Sequence, residues 1–112
     1  MDANNVLEMI VDGQDVREAA VANTTSSIVA YFPEKAQEGL ISNFITLILT
    51  LIKNFPEDNE NLDYCIFMVK GEKLIILPTN KGRYLILNLD PIINAESYAA
   101  KLSSLIRKIK VS

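Results

Sequence analysis

Between Leu40 and Phe55 the sequence LISNFITLILTLIKNF repeats apolar residues at helical spacing, over more of the circumference than one core contact needs. At 100° per residue, Ile41, Phe44, Ile45, Ile48, Ile52 and Phe55 form one stripe. Leu40, Leu47 and Leu51 form a second beside it, with Leu49 on the far flank of the first. Together they span about 200°, against the ~100° of a helix lying on a single core. The pattern predicts a helix covered on two sides, and in so small a chain the second cover is expected to be another copy. A membrane span competes for the same residues. The apolar core from Phe44 to Ile52 is broken by Thr46 and Thr50 and bounded by Asn43 and Lys53. It falls short of the ~20 residues a crossing needs, so no direct membrane insertion is expected.

Elsewhere the period alternates between helix and strand. Asn4 to Val11 predicts a short helix with Val6, Leu7, Ile10 and Val11 on one side, broken by the turn residues DGQD. The run REAAVANTTSSIVAYF predicts a hairpin with strands near Arg17–Ala22 and Ser27–Phe32. Its small residues Ala19, Ala20 and Ala22 imply that another element approaches closely. Pro33, Glu34 and Glu38 suit a helix start, and Pro56 ends the long helix near Phe55. Three strands follow: Tyr64–Val69, Lys73–Leu77 and Arg83–Leu89, joined by turns at Lys70–Lys73 and Pro78–Gly82. Asn94 suits an N-cap for a last helix reaching about Lys110, with Tyr98, Ala99, Leu102, Leu105, Ile106 and Ile109 on one face. The order α-β-β-α-β-β-β-α predicts an α+β sandwich: one domain, residues 1–112, whose five-stranded antiparallel sheet carries helices.

Strand Tyr64–Val69 is apolar on both faces. If it ends the sheet, its open row of N–H and C=O groups invites pairing with a twofold-related copy. The over-wide helix and this strand together predict a dimer interface of Leu40, Phe44, Leu47, Ile48, Leu51, Ile52, Phe55, Tyr64, Ile66 and Met68.

Composition narrows the chemistry. The 112 residues are 49% hydrophobic and 22% charged, which supports a core without staples. A net charge of -3 argues against nucleic acid as a partner, since phosphate neutralisation needs clustered Lys and Arg. The basic cluster Arg107, Lys108 and Lys110 falls at the end of a predicted helix, where cations complement the dipole. No His is present, which excludes imidazole bases, Ser-His-Asp and Cys-His machinery and His-ligated zinc. Cys65 is alone among apolar neighbours and is expected to be a buried, inert thiol. Phosphate-cradling glycine loops are missing. The acidic loop Glu57, Asp58, Glu60, Asp63 lacks the Gly and distal Glu of a calcium loop. No catalytic residue, cofactor or metal site is therefore expected. Arg17, Arg83 and Arg107 are the arginines that a finger mechanism could draw on, but a finger is defined by where it projects. The opening MDANNVLEMIVDGQD has no basic region followed by an apolar run, so a cytoplasmic protein is expected, and Asn23-Thr24-Thr25 reads as a turn rather than a glycan site.

The whole chain resembles a roadblock/dynein light chain domain. The resemblance is carried by NNVLEMI, DVREAAVANTTSSIVAYF, the long helix, the meander YCIFMVKGEKLIILPTNKGRYLILNL and the closing amphipathic helix. Val16, Ala19, Val21, Asn23, Ile28, Val29 and Ala30 fall on the family's hairpin phrase, and TTSS stands where many members carry Gly. The resemblance implies a homodimer, or a heterodimer with a related domain, with long helices near the twofold and third strands joining the sheets. It implies a noncatalytic scaffold or regulator of small Ras-like GTPases, or an adaptor. The longin domain shares most of the same element order and implies a trafficking adaptor, although the N-terminal helix favours roadblock. A small-molecule sensor is the alternative from another class; it would need a pocket where groups such as Tyr31, Tyr84 or Tyr98 converge.

Overall fold

The computed structural model describes residues 2–23, 28–32, 41, 45–54, 64–69, 71–79 and 83–106. Its elements are α1 (Ala3–Ile10), β1 (Val16–Asn23), β2 (Ile28–Phe32), α2 (Ile45–Lys53), β3 (Cys65–Val69), β4 (Glu72–Pro78), β5 (Arg83–Leu89) and α3 (Ala95–Ile106). The strands form one antiparallel sheet in the order β2-β1-β5-β4-β3. The expected α+β order is therefore observed.

Local chemistry sets the boundaries. Asp2 caps α1 by accepting the Asn5 N–H at 2.8 Å, and Asn94 caps α3 by accepting the Ser97 N–H at 2.9 Å. Between α1 and β1 the Asp12 carboxylate accepts the N–H groups of Gln14 and Val16 at 2.8 and 3.0 Å, while Gly13 takes φ +77. Gly71 supplies φ +80 at the β3–β4 turn, a conformation a side chain would strain. Asp90 stops β5, its carboxylate accepting the Ile92 N–H at 2.9 Å and its own N–H reaching the Asp15 carbonyl.

Because β1, β4 and β5 are apolar on both sides, both faces of the sheet need cover. On one face α1 packs across β1 and β2 and α3 packs on β4, enclosing Val6, Leu7, Val21, Leu77, Leu85, Leu87, Leu102 and Ile106. On the other, Ile48 and Ile52 of α2, together with Ile41, lie on Ala20, Ala22, Leu74, Ile76, Tyr84 and Ile86. The alanines expected to admit a close neighbour do so: Ala19 sits in the α1 cluster, Ala20 and Ala22 in the α2 cluster. β2 and β3 are the two edge strands of the sheet, and α2, which lies between them in the chain, sits on this face.

One expectation fails on α3. Leu105 is 52% exposed while Ser103 is buried. Ala99, Leu102, Ser103 and Ile106 centre the buried stripe, and at 100° per residue Leu105 lies about 100° from it. Pro33, the acidic segment 57–63 and the basic segment 107–110, with Ile109, lie outside the described residues.

Candidate interaction surface

The helix pattern resolves into an inner and an outer flank. Ile48 and Ile52, expected at a subunit interface, are instead fully covered by the sheet of their own chain. Their stripe faces inward because it carries the β-branched residues that fit between Ala20, Ala22 and the apolar side chains of β4 and β5. The second stripe is different. Leu47 is 46% exposed and Leu51 half-buried, beside the exposed Thr46, Thr50 and Lys53. Leu40, Phe44 and Phe55 lie outside the described residues.

Strand β3 is an edge strand, pairing with β4 on one side and, among the described residues, with nothing on the other. Its side chains alternate between faces: Cys65 and Phe67 join the α2 cluster, while Ile66 and the preceding Tyr64 join the opposite one. Tyr64, Cys65, Ile66 and Phe67 are all half-buried, and Met68 is 63% exposed. A strand with apolar side chains on both faces is thus incompletely covered along an edge that no described residue pairs, and its Cys65 and Phe67 share a cluster with the helix whose outer flank is also apolar. On the α3 side an open depression of about 470 Å³ is lined by Ile66, Met68, Lys73, Asn94, Ala95 and Glu96. The Lys73 ammonium there donates to the Ile93 carbonyl at 2.9 Å.

The titratable groups are placed as supports. Arg17 is committed to two carboxylates, Nη1 to Glu72 at 3.2 Å and Nη2 to Asp90 at 3.0 Å. Arg83 begins β5, half-buried, with Nη1 lacking a hydrogen-bond partner among the described residues, and Arg107 lies outside them. The Val16 and Gln14 N–H groups hold the Asp12 carboxyl below its ordinary range. The Ile92 N–H, and then Arg17, do the same for Asp90. Burial pushes the Cys65 thiol up, away from a reactive thiolate. Burial, with the charges of Asp12 and Asp15, raises the Tyr98 phenol. No group of His, Cys, Asp and Glu among the described residues is arranged to hold a metal ion. Nor is any described helix long and apolar enough to cross a membrane.

The three tyrosines proposed for a sensor do not converge. Tyr31 and Tyr84 belong to the α2 cluster and Tyr98 to the opposite one, so the sheet separates them. None lines the depression beside β3.

A polar cluster that the sequence reading passed over lies beneath the α2 side. Glu18 is 2% exposed. Its Oε1 accepts the Ile41 backbone N–H at 2.8 Å and the Asn88 amide at 3.0 Å, and its Oε2 accepts the Tyr31 hydroxyl. Strand alternation puts it there, on the same face as Ala20 and Ala22, and a β-bulge just before it sends Val16 to the opposite face. Val16 pairs with Leu89 and Glu18 with Asn88, so Arg17 is the extra residue and the alternation shifts at that point. Arg17 turns to its ion pairs, and Glu18 turns to the Ile41 backbone. The accessible signal was the alternation of Glu18 with Ala20 and Ala22, but the distant donors that let a carboxylate be buried there cannot be read from that spacing. Asn88 leaves its own Oδ1 buried without a partner among the described residues, a cost of about 1–3 kcal/mol that its bond to Glu18 offsets.

No family model and no curated protein matches the sequence. Solved structures do. One Roadblock/LC7 domain from Streptomyces avermitilis superposes with a TM-score of 0.64 at 15% identity, covering 95% of this chain and 96% of its own. A second from that organism gives 0.61 at 13%, covering 96% and 94%. The fold is the Roadblock/LC7 fold. A chain of the LokiProfilin1/rabbit actin complex is similar more loosely, at 0.50 and 15% identity, with 92% of each chain covered. Among the described residues, the outer flank of α2 and the edge of β3 carry exposed apolar side chains, Leu47 and Met68.

Proposed function

We propose that this protein is a noncatalytic dimeric scaffold that serves small Ras-like GTPases. The observation that carries the dimer is the pairing of two incompletely covered features, the Leu47–Leu51 flank of α2 and the β3 edge, unpaired among the described residues, with Met68 near its end. Covering an exposed Leu or Met side chain contributes about 1.5–3 kcal/mol when burial is complete. Pairing the edge removes an aggregation hazard at the same time. The partner copy is either a second identical chain or a related domain. The placement of charged groups supports a scaffold over an enzyme: Arg17, Asp12, Asp90 and Glu18 are each engaged in holding the fold together. The GTPase as client follows from the resemblance to the roadblock/dynein light chain family; the Roadblock/LC7 fold supports the coarser reading of a small scaffold or adaptor domain.

Purified small Ras-like GTPases from the same source, loaded with GDP or with a GTP analogue, would be titrated against the wild type and Leu47→Asp. Binding of one nucleotide form by the wild type is expected. Absence of any complex with either form at tens of micromolar would reject the GTPase as client while leaving the dimer to be judged by mass.

A further inference from the structure

Four elements meet at Glu18: its own strand β1, β5 through Asn88, β2 through Tyr31, and the helical Ile41 that precedes α2. Three of these are neighbouring strands of the sheet. Everything that Glu18 contacts in this cluster is a donor, so both carboxylate oxygens serve as acceptors. The apolar contacts of Ile41, Ile48 and Ile52 hold the helical segment down on the sheet, but such contacts are non-directional and allow sliding. A buried, charge-assisted hydrogen bond to a backbone N–H is directional and fixes one register.

We infer that Glu18 is an anchor that sets the position of Ile41, and through it of α2, on the sheet. Tyr31 and Asn88 are positioning residues that hold the carboxylate in place. Glu18 keeps the alternation of Ala20 and Ala22 and so lies on the α2 side, while the bulge at Arg17 leaves that residue free to turn to its surface ion pairs. Its consequence for association, that the anchor orients the Leu47–Leu51 flank toward a partner, rests on the function proposed above. The anchoring itself does not.

The test is amide hydrogen exchange at Ile41, compared with Ile86 in the centre of the sheet, for the wild type, Glu18→Ala and Glu18→Gln. All three are measured again in a Leu47→Asp background, so that failure of the dimer reading leaves the anchor readable. Glu18→Ala is expected to speed exchange at Ile41 roughly tenfold or more while Ile86 stays unchanged. Glu18→Gln keeps the shape and one acceptor oxygen, and its amide can donate to the Tyr31 hydroxyl. It is therefore expected to speed Ile41 by a smaller factor, and it serves as the readable variant if the alanine form does not fold. Exchange at Ile41 unchanged in a folded variant would overturn the anchor. So would Ile41 and Ile86 accelerating by the same factor, which would reduce Glu18 to a contributor to global stability.

Discussion

Under α1 and α3 the sheet offers Val21, Leu77, Leu85 and Leu87, and two helices close over them with apolar contacts. Under α2 it offers Ile76, Tyr84 and Ile86 together with a buried carboxylate that holds the helical segment by its backbone. The first face is closed by mass of hydrocarbon, and small slips cost little specificity. The second carries one helix whose opposite flank is still apolar, so its exact seat matters for whatever that flank meets. The difference shows why a chain of ordinary composition devotes a buried carboxylate to one face alone.

The sharpest way to break the contrast is to place a charge on each flank of α2. Ile48→Asp sets an unpaired carboxylate against the sheet and is expected to destabilise by on the order of 4 kcal/mol or more in urea unfolding. Leu47→Asp, on the outer flank, is expected to stay within about 0.5 kcal/mol of wild-type stability as a single chain and to lose association. Equal losses of stability from both would mean that the helix has no free flank. On the opposite face, Leu87→Ala is expected to cost about 2–5 kcal/mol, with no selective effect on α2.

Smaller effects sharpen the polar side of the comparison. Tyr31→Phe removes one donor from Glu18 and leaves a buried carboxylate oxygen unpaired, an expected loss of about 1–3 kcal/mol. A loss indistinguishable from zero would mean the hydroxyl contributes nothing to the cluster. Arg17→Ala removes a half-exposed pair of ionic contacts and is expected to cost no more than about 1 kcal/mol, fading in high salt. The Asp12 and Asp90 carboxyls titrate below the ordinary value of 3.8 in the folded protein. Their contribution is therefore present above that value and disappears as pH falls through the folded pKa values. Asp12→Asn is expected to flatten the acid limb of a stability profile below pH 3.8, and an unaltered limb would dismiss the turn as its source.

Much of the fold was legible in the residues because local signals agreed. Gly71, Asn94, Asp90 and the DGQD turn each placed an element end close to where it lies. Arg83–Leu89 was bounded without error. The two stripes on α2 were also readable, but which stripe met the sheet was not. Periodicity gives angles around a helix and says nothing about which side the rest of the chain occupies. The position of β3 at an edge was equally hidden, since strand order depends on long-range pairing. Glu18 was missed for a third reason: its burial depends on donors from β2, β5 and Ile41, distant in the chain, which have no signature in the spacing of β1 alone.

Size-exclusion chromatography with light scattering on the wild type at tens of micromolar tests the central claim most directly, with Leu47→Asp run beside it. A wild-type mass of roughly 25 kDa, twice that of the 12.5 kDa chain, with the variant reduced to one chain, is the predicted result. A wild-type mass of 12.5 kDa would contradict it.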